Sequence, residues 1–65
     1  MGTLKTFKLK AYRVNILELD EPIYGGLYAV ELLKNNTVIK YLDGFTLDGA
    51  FDIFRETVNA IKKYE

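Results

Sequence analysis

Two carboxylate pairs, Asp48 with Asp52 and Glu18 with Asp20, are the groups in this 65-residue chain that could share a proton or hold a hard cation. Thr and Tyr hydroxyls are the candidate nucleophiles, because the sequence contains no His, Cys, Ser, Trp or Gln. Without His or Ser, no activated nucleophile can be assembled from recognisable partners. The absence of His and Cys also removes the usual zinc ligands and any disulfide. Each carboxylate pair has a simpler use. Asp48 and Asp52 suit the positive end of a helix, Glu18 and Asp20 suit a turn, and neither pair has EF-hand spacing. The expectation is a protein that is not an enzyme, with no catalytic, cofactor-binding or metal-binding residue and no cofactor.

The charged residues are more informative through their placement. Nine Lys plus Arg balance nine Asp plus Glu, so the net charge is zero. Residues 1–17 hold Lys5, Lys8, Lys10 and Arg13 and no acid, whereas residues 18–33 hold Glu18, Asp20, Glu21 and Glu31 and no base. One end of the molecule is expected to be basic and the other acidic.

The elements that place these residues follow from periodicity. Hydrophobic residues make up 49% and charged residues 28%, a globular balance, and the length allows one domain over residues 1–65. LYAVELL (27–33) and TVIKYL (37–42) read as strands joined by an Asn35-Asn36 turn, because Asn tolerates positive φ. Pairing about that turn sets Leu33 opposite Val38, Leu32 opposite Ile39, Glu31 opposite Lys40 and Val30 opposite Tyr41. The first strand folds back at Asp20-Glu21-Pro22, which puts Val14 opposite Tyr28 and Tyr12 opposite Val30. Its apolar phase switches from odd positions (Phe7, Leu9) to even ones (Tyr12, Val14, Ile16), and a bulge near Lys10–Ala11 reconciles the two. Gly25-Gly26 marks another bulge or a sharp bend rather than a phosphate cradle, since neither a helix nor a Lys follows. Thr46 caps a helix from about Leu47 to Tyr64. Its apolar arc contains Leu47, Ala50, Phe51, Phe54, Thr57, Val58 and Ile61, and Ile53, Ala60 and Tyr64 widen one flank. The expected architecture is α+β: a three-stranded antiparallel meander (about 3–18, 23–34 and 37–43) covered on one face by a single C-terminal helix.

That architecture leaves the other sheet face open. It is expected to carry Lys8, Lys10, Arg13, Glu31 and Lys40 among Leu33, Val38 and Leu42, a mixture suited to a contact surface. Two uses follow. The first is binding of a protein partner through this face or through a free strand edge. The alternative is nucleic-acid binding, with Lys8, Lys10, Arg13 and Lys40 against phosphates. Tyr12, Tyr28 and Tyr41 fall on the helix-covered side, which favours packing over base stacking. A domain below about 70–80 residues gains little from one core, so a homodimer is a further expectation. No apolar run reaches the roughly 18 residues of a membrane span and the N-terminal residues lack a signal-peptide stretch, so a cytoplasmic location is expected without membrane contact.

With Gly25, Gly26, Tyr28 and Val30 in one segment and Gly44, Thr46, Leu47 and Ala50 in the next, the chain resembles the HicB-type antitoxin family. The resemblance implies a partial double-stranded-RNA-binding-domain fold over nearly the whole chain, neutralisation of a small RNA-cleaving toxin by direct contact, and oligomerisation. The family's Pro-Asp-Leu-Pro-Gly segment is replaced here by LLKNNTV.

Overall fold

A computed structural model describes residues 2–64 as one antiparallel sheet and one helix, in the order β1 (Gly2–Leu9), β2 (Tyr12–Ile23), β3 (Gly26–Lys34), β4 (Thr37–Phe45) and α1 (Leu47–Tyr64). The four strands lie side by side in chain order, so β1 and β4 are the edges. The α+β plan with one C-terminal helix is as expected, but there are four strands and not three. What reads as one long first strand is a hairpin. Leu9 pairs directly with Tyr12 across a Lys10-Ala11 turn, with Lys10 at φ 56°. A two-residue turn changes the parity of the inward-facing positions just as a bulge does, which is why the phase switch admits either reading.

The second turn also differs from expectation. It lies at Tyr24-Gly25, both at positive φ, and not at Asp20-Glu21-Pro22. Val14 therefore faces Leu32 and Tyr12 faces Lys34. This register differs from the expected one by four residues, an even number, so each side chain keeps its face. Pro22, which has no N–H to give, sits in the stretch between Glu18 and Ile23 where regular pairing lapses. The Gly25-Gly26 bend is present as expected. A Cβ on Gly26 would lie 2.4 Å from the Gly44 carbonyl carbon, so this position must be glycine for β3 and β4 to approach.

The third turn is at Asn35-Asn36 as expected, with φ of 53° and 66°. The backbone N–H of Asn35 donates to the Ala11 carbonyl at 2.9 Å, which ties this turn to the Lys10-Ala11 turn at the same end of the sheet. Helix α1 starts where the sequence signals, and the Gly49 N–H donates to Thr46 Oγ1 at 3.2 Å. Its buried residues Ala50, Phe54, Val58 and Ile61 pack on Val14, Ile16 and Val30, with Phe7, Leu9, Tyr12, Tyr28, Leu32, Phe45 and Ile53 around them.

Candidate functional site

The outer face of the sheet, away from α1, is set by cross-strand register. Three rows cross it. One runs Lys8, Arg13, Leu33, Val38; the next runs Thr6, Asn15, Glu31, Tyr41; the third begins Thr3, Leu17, Ala29. The middle row is a polar ladder. Thr6 Oγ1 donates to Asn15 Oδ1 at 2.8 Å, and Asn15 Nδ2 donates to Glu31 Oε1 at 2.8 Å. Asn15 is only 6% exposed, yet both ends of its amide are satisfied, which is the condition for tolerating a buried polar group. At the end of the row the Tyr41 phenol is held above the usual tyrosine range, first by desolvation and then by the carboxylates of Asp43 and Glu31.

Lys8, Arg13, Glu31, Leu33 and Val38 occupy the outer face as expected. Lys10 belongs to the first turn rather than to the face. Lys40 and Leu42 are corrected. The β3–β4 register slips by one residue between Leu32 and Leu33, so Lys40 pairs with Leu32, Tyr41 with Glu31 and Leu42 with Val30. A one-residue slip exchanges faces, which moves Lys40 and Leu42 to the helix side, turns Tyr41 outward and leaves no Glu31–Lys40 pair. Nor is the outer face open throughout. Leu17, Ala29 and Leu33 are buried there, Leu33 between Arg13 and Val38 in its row. The far end of β2 also bends across β3, so that Leu19, Asp20, Glu21 and Ile23 share a recess with Tyr41 and Asp43.

A contiguous run of exposed apolar side chains lies along the β4 edge. Val38, Ile39, Tyr41 and Leu42 are 48%, 55%, 44% and 39% exposed, and they include apolar groups on both faces of the strand. On the helix side, β4 and the flank of α1 enclose a groove of about 390 Å³. Leu32, Ile39, Leu42, Ile53, Ala60 and Ile61 give it an apolar lining, with Lys40 and Glu56 as its charged members. The sequence marks half of this groove, the flank of Ile53, Ala60 and Tyr64. Of the β4 half, Ile39 is on its expected face, and Lys40 and Leu42 were hidden by the slip.

The basic residues gather at the end that carries the first and third turns. Lys8 and Arg13 are directly opposed on the outer face, a like-charge pairing that costs a few tenths to about 1 kcal/mol. Arg13 Nε is buried without a hydrogen-bond partner, an omission that costs about 1–3 kcal/mol in a folded protein. On the helix side, Lys34 Nζ stands 5.4 Å from the Tyr12 ring centroid and Lys62 Nζ 5.4 Å from that of Phe7. Asp48 and Asp52, by contrast, lie in the first turns of α1 at the opposite end.

Among the described residues no group of three or more Asp and Glu side chains could hold a metal ion. No helix among them is long and apolar enough to cross a membrane. No family model, curated protein or solved structure matches the chain.

Proposed function

We propose that this protein is a small non-enzymatic interaction module that binds a protein partner by accepting an extended segment of it along β4. The observation that carries the reading is an edge strand with uncovered apolar side chains on both faces. Edge strands normally defend themselves with charge, bulges or cover. The other edge does so with charge: β1 exposes Lys5 and Lys8. Within Thr37–Leu42 the single charge is Lys40.

An incoming strand would pair with the free main-chain groups of β4 and extend the sheet by one. Its chemistry follows from the surface. It would carry large apolar residues at alternate positions, those on the helix side entering the groove, and an acid near Lys40. A toxin-like partner, in line with the HicB resemblance, belongs to this class. Of the apolar residues expected on the outer face, Val38 remains at this edge, because Leu33 is enclosed and Leu42 lies on the helix side, and Tyr41, expected under the helix, joins it.

The test is site-specific photocrosslinking in the native host from position 39, followed by hydrogen exchange with the purified captured protein. Protection of alternate amides within residues 38–42 is the expected result. A captured protein that leaves these amides exchanging as in the free chain, or that crosslinks equally from position 55, refutes the reading. Self-crosslinking with the same protection pattern would make a second copy the partner and refute a heterologous one.

A further inference from the structure

We infer that the turn-bearing end of the sheet is a phosphate-backbone site for single-stranded nucleic acid, separate from the β4 edge and independent of its function. Five bases surround this end: Lys8 and Arg13 on the outer face, Lys10 in the first turn, and Lys34 and Lys62 on the helix side. There is no acid in residues 1–17 or 32–42, the two sheet stretches at this end, to which α1 adds Lys62. The nearest carboxylate on the outer face, Glu31, already accepts the Asn15 amide.

The local arrangement is better explained by a ligand than by the fold. Folding alone gains nothing from setting Lys8 opposite Arg13. Neither residue has a carboxylate partner among the described residues. An anion between them would relieve this conflict by neutralising the opposed charges. Further bases around the same end extend the site beyond one phosphate, which suits a repeating phosphodiester. The chain offers no recognition helix here, because α1 lies on the other face of the sheet. Asp20, Glu21, Asp43, Asp48 and Asp52 lie toward the other end of a molecule 34 Å long, so its field would orient a polyanion to the basic end.

The experiment is fluorescence anisotropy with fluorescein-labelled oligothymidylate and oligouridylate, using the intact chain. If Lys8, Arg13, Lys34 and Lys62 engage phosphates, affinity should fall roughly 50-fold between about 50 and 200 mM salt. The two probes should bind alike, since the backbone and not the base is held. Lys8→Gln and Arg13→Gln should each make the slope of log affinity against log salt shallower by about 0.7. Arg55→Gln, on the exposed face of α1 beside Asp52, should leave it unchanged. Because each variant removes one member of a repelling pair, the melting temperature should hold or rise, and Lys8 is exposed, so its replacement disturbs no packing. No binding of either probe at about 50 mM salt overturns the inference. So does an equal effect of Arg55→Gln, or binding of polyglutamate as tight as that of the oligonucleotides. Ile39→Lys at the β4 edge serves to separate the two surfaces, since its loss of a protein partner would leave the Lys8 and Arg13 effects in place.

Discussion

Replacing Asn15 by Ala removes the centre of the polar ladder and leaves its two ends in place. The bond from Thr6 is a neutral hydrogen bond, worth about 0.5–1.5 kcal/mol net, whereas the bond to the Glu31 carboxylate is charge-assisted and worth about 1.5–3 kcal/mol. Thr6 is exposed and Glu31 half-buried, so both can turn to water, and the total should settle near the lower end, about 2–3 kcal/mol. In a domain this small each kcal/mol lowers the melting temperature by about 4–8 °C, so Asn15→Ala should melt roughly 10–20 °C below the parent. Asn15→Leu separates hydrogen bonding from packing. It fills the same buried position between Arg13 and Leu17 with carbon and should cost less than half as much. Urea unfolding followed by circular dichroism measures both, and a double-mutant cycle with Glu31→Gln isolates the charged bond. An Asn15→Ala loss below about 0.5 kcal/mol, or a coupling to Glu31 indistinguishable from zero, would refute the account of the ladder as a stabilising network.

Ile39→Lys should reduce partner binding at β4 by at least about 10-fold, because it removes roughly half of a full Ile burial and places a charge in the interface. Its urea midpoint should stay close to that of the parent, as expected for an exposed edge position. Gly26→Ala drives a methyl into the Gly44 and Phe45 main chain and should cost more than about 3 kcal/mol, enough to leave the chain largely unfolded by circular dichroism at room temperature. For Tyr41 the sign follows from its raised pKa: the unfolded chain ionises first, so stability present below about pH 10 is lost as pH rises beyond it. Tyr41→Phe should therefore lose less melting temperature than the parent between pH 8 and pH 11, and an equal loss would refute the assignment.

The helix and the third turn were legible because their signals are local. Thr46 as cap, Asp48 and Lys62 at opposite ends, and the recurrence of Ala50, Phe54, Val58 and Ile61 all act within a few residues of one another. Asn35-Asn36 reads as a turn from its own φ preferences. The Lys10-Ala11 turn carries no Gly, Asn or Pro, so only the phase switch between Leu9 and Tyr12 betrays it, and that switch fits a bulge equally well. Gly25 was the better guide to the second turn than Pro22, which the strand absorbs where pairing lapses.

For the candidate surfaces, parity separates what pattern could establish from what it could not. An error of four residues between β2 and β3 left Arg13, Leu33 and Glu31 on their expected face, while a slip of one at Ile39 moved Lys40 and Leu42 to the other. The residues of β3 and β4 admit both registers around Ile39. The choice falls to packing, because Leu42 must reach Val30 and Phe45 must reach Tyr28 under α1. Residue order alone dictates the alternation within each strand, the cap, the turn at Asn35-Asn36 and the segregation of basic from acidic stretches, since these depend on near neighbours. Which edge stays apolar and open, and which bases meet at one end, arises when distant strands align and a rigid helix covers one side of them.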